Sequence, residues 1–148
     1  MSQQTQELLI SIYQNTSTAL QSINDLKSKC EDKIFLELLE AQEQRYKSLQ
    51  LEIEDYANHL KINLKDNNWF EKARLWTSIQ FSTMTNNTVR HLAELMLIGT
   101  VMGTLTCYKD REDYKNATPP CLELLNKLEQ TEEDNFNELK KFLKVCHD

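Results

Sequence analysis

The stretch Thr88-Val-Arg-His-Leu-Ala-Glu-Leu-Met-Leu-Ile-Gly-Thr-Val-Met-Gly-Thr-Leu-Thr-Cys-Tyr-Lys-Asp110 decides how the rest of the chain must fold. Between Leu92 and Cys107 its only charge is Glu94, and both glycines of the protein, Gly99 and Gly103, fall inside it. Leu92, Leu95, Met96, Gly99, Met102, Gly103 and Thr106 recur at helical spacing as one apolar stripe. Leu97, Ile98, Val101 and Leu105 form a second stripe on the other side. A helix apolar on both sides is expected to be covered on both sides. The bundle core covers one side; the cover for the other is either a preceding helix over residues 69–81 or a second copy of the chain. The expected assembly is therefore a homodimer.

Each glycine costs roughly 1 kcal/mol in a helix interior relative to Ala. Four residues apart on one face, Gly99 and Gly103 are expected to mark a close helix–helix contact, by analogy with the small-residue contacts of membrane helices. Thr88 is placed to cap this helix, with His91 and Glu94 in its first turns.

Outward from this stretch, the chain is built of long helical periodicities. Leu9, Ile12, Thr16, Ala19, Ile23, Leu26 and Cys30 alternate in steps of three and four, and so do Phe35, Leu39, Gln42, Tyr46, Leu49, Ile53, Tyr56 and Leu60. A third series runs Leu125, Leu128, Glu132, Asn135 or Phe136, Leu139, Leu143 and Cys146. Lys27 to Asp32 is expected to turn between the first two helices, and Tyr108 to Thr118 is expected to be a charged loop. Thr118 followed by Pro119 starts the last helix, because Pro suits the first helical position. The Ser, Thr and Asn residues of 82–87 compete with helical hydrogen bonding, so a break is expected there. The chain reads as all-α: one domain over residues 1–148, an antiparallel four-helix bundle whose third helical segment is broken near residues 82–88. Two Gly, two Pro and no Asn-Gly or Asp-Gly pair leave little material for hairpins.

The 148 residues are enough to bury a core without disulfides or metal. A net charge of −6, with Lys and Arg scattered among acids, argues against a nucleic-acid groove. No apolar run is long enough for a membrane span, and residues 1–7 lack the features of a signal peptide, so a cytoplasmic location is expected. Cys30, Cys107, Cys121 and Cys146 are widely spaced and read as reduced thiols.

Inward carboxylates in a helical bundle invite comparison with di-iron sites, which take Glu from two helices and Glu-x-x-His from two others. No Glu-x-x-His motif occurs here, and Thr16 and Gln42 stand where inward acids would be needed. Thr16, Gln42 and Glu132 are expected to form a polar layer across the bundle, with Arg45 near enough to neutralise Glu132. His91 and Glu94, three apart on one side of a helix, could both reach one ion. No nucleophile–base pair, P-loop or dinucleotide fingerprint appears.

From Leu75 onward the chain resembles an uncharacterised ferritin-like family of clostridia and related Gram-positive anaerobes. The resemblance lies in Trp76-Thr-Ser-Ile79, Met84-Thr85, His91-Leu-Ala-Glu94, Gly99-Thr-Val-Met-Gly103, Glu132-Glu-Asp-Asn135 and Leu139-Lys-Lys-Phe-Leu143. The first two helices are similar in layout, including Glu40-Ala-Gln-Glu43 and Tyr46. It implies a ferritin-like bundle and gives His91 and Glu94 the place of that family's His-x-x-Glu segment; it implies no particular cofactor.

The expected function is that of a non-enzymatic, cytoplasmic protein working through binding or assembly. An alternative is a protein that binds or oxidises iron, or holds another divalent metal, through Glu43, His91, Glu94, Glu129 and Glu132. A further alternative is binding of an apolar small molecule between the helices.

Overall fold

Residues 2–65, 71 and 88–144 are described by the computed structural model. Four helices carry them: α1 (Gln3–Lys27), α2 (Lys33–His59), α3 (Val89–Asp113) and α4 (Pro119–Lys140), followed by a 3-10 turn, Lys141–Leu143. The helix expected over residues 69–81 and the break near 82–88 lie outside the described residues.

Side-chain caps fix three of the four starts. Ser2 accepts from the Thr5 N–H at 3.2 Å, Asp32 from the Phe35 N–H at 2.9 Å, and Thr88 from the His91 N–H at 3.3 Å. Each satisfies one backbone donor that a helix start leaves free. Pro119 opens α4 as expected, but the Thr118 hydroxyl turns away to Tyr56 Oη at 2.8 Å. α2 ends where Lys61 takes a left-handed φ of 59°, which returns the Ile62 N–H to the Ala57 carbonyl at 2.8 Å.

α1 packs on α2 and α3, and α4 packs on α2 and α3, so α1 and α4 hold the helices together around a square. The pairings give the directions. Ser11 meets Asp110 and Asn15 meets Gly103, so α1 and α3 are antiparallel. Tyr46 meets Glu132 while Tyr56 meets Thr118, so α2 and α4 are antiparallel too. Short turns reverse the chain from α1 to α2 and from α3 to α4. These four pairs are thus antiparallel, while α2 and α3 run the same way, as do α1 and α4, whose starts meet where Thr5 Oγ1 accepts from the Thr118 N–H at 3.0 Å.

Most of the predicted seams of α1, α2 and α4 are buried, through residues such as Ile12, Ile23, Phe35, Ile53, Leu125 and Leu128. Ala19, Tyr56 and Leu60 are only partly buried, and Ala57 takes the inward place after Ile53. Asn135, not Phe136, takes the inward place on α4. Two expectations need correction on α3. The helix continues through Asp113, so the charged loop shrinks to a turn over residues 114–118. Its buried face is also rotated: Leu92, Ala93, Met96, Leu97, Thr100, Cys107 and Asp110 face inward. The second stripe is split: Leu97 joins the core, while Ile98 and Leu105 are 58% and 57% exposed and Val101 is exposed with them. A helix apolar on every side has little moment, and its rotation is set by what packs against it.

Two apolar residues of α2 test this packing. Ile53 is fully buried and Leu51 is largely exposed. In urea unfolding, Ile53→Ala is expected to lower stability by about 2–5 kcal/mol, and Leu51→Ala by no more than about 0.5 kcal/mol.

Candidate functional site

The α4 seam steps Leu125, Leu128, Glu132, Asn135, Leu139, so helical periodicity alone carries the Glu132 carboxyl into the core. It is 1% exposed. Tyr46, on the seam of α2, donates its hydroxyl to Glu132 Oε2 at 2.8 Å. Oε1 has no hydrogen-bond partner. Burial pushes the Glu132 carboxyl up to about 8, with the Tyr46 bond opposing the shift. The carboxyl is therefore mainly protonated at neutral pH, and Oε1, the oxygen without a donor, is the one placed to carry the hydrogen. Burial and the neighbouring Glu132 push the Tyr46 phenol well up.

Oε1 lies against α3 at its one tight point. A Cβ on Gly103 would stand 2.5 Å from Glu132 Oε1 and 3.0 Å from Asn15 Oδ1. Only glycine leaves room for the carboxyl there. Asn15 Nδ2 donates to the Gly103 carbonyl at 3.1 Å and reaches Cys107 Sγ at 3.8 Å, which turns its Oδ1 toward the same spot. Gly99 behaves differently: nothing lies within 4 Å of where its Cβ would be. The expected close contact is thus real at Gly103, against a side chain, and absent at Gly99.

Gly99 opens on a cleft of about 280 Å³ between α1 and α3. Ser11, Gln14, Asn15, Thr18, Ala19 and Ser22 form the α1 wall, and Tyr46 and Glu132 reach it from the other two helices. The α3 wall is Leu95, Met96, Gly99, Thr100, Met102, Gly103 and Thr106. Six of the seven residues of the predicted core stripe are on this wall, which locates the face that the sequence singled out. On the α1 wall the side chains are mostly short and polar, and on α3 Gly99 and Gly103 leave space between the larger Leu95, Met96 and Met102. Ser11, Asn15, Thr18 and Ser22 recur at helical spacing beside the α1 seam; that polar, small-residue stripe was the sequence signal for the cleft, and it was not singled out.

Around the cleft, Ser11 donates to the buried Asp110 Oδ2 at 2.6 Å. Burial raises the Asp110 carboxyl, and the Ser11 bond opposes the rise. Cys107 is fully buried, and its thiol is pushed up by burial and then by Glu132 and Asp110. Cys121 is pushed up to about 12 by burial alone. Cys30, Cys107 and Cys121 are free thiols.

The residues expected to hold a metal do not converge. Glu43 Oε1 lies between Lys27 Nζ at 3.4 Å and Lys47 Nζ at 3.6 Å. Glu129 is gripped by Arg111, with N–O distances of 3.2 and 3.1 Å. His91 Nδ1 and Glu94 Oε2 are 3.6 Å apart on the first turns of α3, with Arg90 also reaching Glu94 at 3.9 Å. Twelve residues of helix, roughly 18 Å, separate His91 from Gly103 and the Glu132 carboxyl. Among the described residues no three His, Cys, Asp or Glu side chains form a group that could hold a metal ion.

Thr16, Gln42 and Glu132 are all buried, but each bonds a partner outside the trio. Thr16 bonds the Tyr13 carbonyl at 2.8 Å and receives Gln50 Nε2 at 3.2 Å. Gln42 Nε2 donates to the Asn135 carbonyl at 3.4 Å. Arg45 does not neutralise Glu132: it donates to Asn135 Oδ1 at 2.8 Å and forms an ion pair with Glu138. An Arg on the seam's edge can keep its charge partly in water at Glu138, whereas following Glu132 inward would bury it.

These features define a class: an antiparallel four-helix protein with a partly open cleft and a buried, half-satisfied carboxyl at its floor. No protein-family model, curated protein or solved structure matches the chain.

Glu132 gives stability a pH dependence of unusual sign. Its carboxyl titrates near 4.5 when unfolded and is raised to about 8 in the fold. The native state then holds more protons than the unfolded state, so stability falls as pH rises from about 4.5 to 8. Asp110, also raised, adds in the same direction. Urea unfolding is expected to show the protein more stable at pH 5.5 than at pH 8.5, with most of the difference gone in Glu132→Gln.

Proposed function

We propose that this protein is a non-enzymatic binding protein whose cleft between α1 and α3 takes a small, largely apolar molecule with one polar group. The observation that carries the reading is Glu132, which lines the cleft and whose buried Oε1 has no hydrogen-bond partner among the described residues. An unsatisfied buried polar atom costs about 1–3 kcal/mol, and a ligand able to bond it would recover part of that cost. The cleft volume lies near the lower end for small-molecule sites, and its lining mixes an apolar wall with a few polar groups, as such sites do. Among the described residues no His lines it, and the adjacent Cys107 thiol is held away from the thiolate that nucleophilic chemistry needs.

The helix order, with α2 and α3 parallel and one long crossover between them, supports a ferritin-like reading of the architecture, as the motif resemblance does. A cytoplasmic location belongs to the same proposal; among the described residues no helix is long and apolar enough to cross a membrane. An iron-binding role would require Glu43 and Glu129 to leave their Lys and Arg partners, and nothing in the described geometry favours it.

Gly99 provides the test. Gly99→Leu places a side chain in open cleft space, whereas Gly99→Ala adds only a methyl group and improves helix propensity by up to about 1 kcal/mol. In ¹⁵N–¹H spectra titrated with hexan-1-ol and hexan-1-amine, shifts are expected to cluster at the Asn15, Gly99 and Gly103 amides of the native protein. Gly99→Leu is expected to abolish them and Gly99→Ala to retain them. Shifts absent from these amides with both compounds, or unchanged by Gly99→Leu, would remove the cleft reading.

A second reading, assembly as a homodimer, rests on a separate observation. Ile98, Val101, Leu105 and Tyr108 are exposed along α3 with no charge from Leu95 to Tyr108. Light scattering at micromolar concentration is expected to give the mass of a dimer, and Leu105→Glu that of a monomer. A monomeric native protein would contradict this reading and leave the cleft untouched.

A further inference from the structure

Glu132 and Asn15 line the floor of the cleft with no cation beside them among the described residues. Glu132 Oε1 and Asn15 Oδ1 flank the same point beside Gly103, 2.5 and 3.0 Å from the position a Cβ would take. The assignment of Oδ1 follows from Asn15 Nδ2, which is committed to the Gly103 carbonyl. Both oxygens thus gather at one place on α3, and once Glu132 is ionised both accept hydrogen bonds. Above them the α3 wall offers Leu95, Met96 and Met102, which suit a short hydrocarbon. No Lys, Arg or His lines the cleft among the described residues. An anionic ligand would be buried there without a counter-charge and beside an acid, at a large cost.

We propose that the cleft takes a primary ammonium group on a short hydrocarbon chain, with the nitrogen donating to Glu132 Oε1 and Asn15 Oδ1. This rests on the cleft reading given above and names the class of its ligand. An ammonium group brings several N–H donors and a charge, and charge-assisted hydrogen bonds are roughly twice as strong as neutral ones. Tyr46 is already fixed on Oε2, so the carboxylate formed in the complex has a hydrogen bond on each oxygen.

The proton balance follows. A free alkylamine titrates near the lysine value, about 10.4, and arrives as the ammonium ion at neutral pH. Glu132, raised to about 8, is mainly the neutral acid before binding. Pairing converts it to the carboxylate, so its proton leaves to solvent while the amine keeps its own. The groups facing Glu132 do not supply or trap that proton. Tyr46 on α2 and Cys107 on α3 are both pushed up and stay protonated, Asp110 is held by Ser11, Glu129 is paired with Arg111, and the α1 wall carries no titratable group.

Calorimetry with hexan-1-amine, hexan-1-ol and hexanoate, in two buffers of different ionisation heat, tests the proposal. Hexan-1-amine is expected to bind most tightly and to release close to one proton per molecule at pH 7. At pH 9, where Glu132 is already ionised, the release is expected to fall toward zero and the affinity to rise about tenfold. Glu132→Gln, which keeps the shape of the side chain, is expected to weaken hexan-1-amine at least about tenfold and remove its pH dependence. The same variant should leave hexan-1-ol binding in place, which shows that the cleft itself has folded. Hexan-1-ol binding as tightly as hexan-1-amine without proton release, or hexanoate binding best, would overturn the ammonium assignment while the cleft reading stood. Failure of all three compounds to bind, with no shifts at Asn15, Gly99 or Gly103, would overturn both.

Discussion

The Tyr46–Glu132 hydrogen bond joins two helices across the core, between residues 86 apart in sequence, and much of the molecule is arranged around it. A carboxyl buried to this degree is costly to ionise, and the bond from Tyr46 meets only one of its oxygens. The fold accommodates the group by keeping it mainly protonated rather than by giving it a cation. Two consequences follow in the neighbouring helices. α3 must present a glycine where the carboxyl touches it, and α1 must present something small and polar beside that glycine. Gly103 and Asn15 are those residues.

The four helix interfaces are not equivalent. Leu, Ile and Phe side chains fill the seams of α1, α2 and α4. Between α1 and α3 the α1 side is mostly short and polar and Gly99 faces open space, and there a cleft forms. Charges are kept at the margins, where Lys27, Lys47, Arg45 and Arg111 pair with Glu43, Glu138 and Glu129 and remain partly in water. Those pairs contribute modestly to stability, but they tie up the acids from which a metal site would have been built.

α3 is the helix on which these demands meet. One edge faces the core, one lines the cleft, and a third, containing Ile98 and Leu105, is exposed. A helix asked to serve three surfaces has no reason to be amphipathic in the usual sense, and the absence of charge from Leu95 to Tyr108 reflects that. Its start is defined by Thr88, and His91 and Glu94 pair with each other close to solvent there, well away from the floor of the cleft.

The sequence by itself determined the helices with one apolar face. The steps of three and four in α1, α2 and α4 fixed which residues turn inward, Glu132 included, because helical geometry converts spacing into direction without reference to anything else. The cap at Thr88 and the proline at the start of α4 were legible for the same reason: they act within a single turn. The rotation of α3 was not legible, since a helix apolar on every side carries no directional signal, and the stripe read as core turned out to be the cleft wall. Nor were the partners of Glu132, Arg45, Glu43 and Glu129 legible, because each lies on another turn or another helix, and only the packed bundle sets which charges meet. The difference between Gly99 and Gly103 has the same origin: both are glycines on one face of one helix, and what stands opposite each is decided by three other helices.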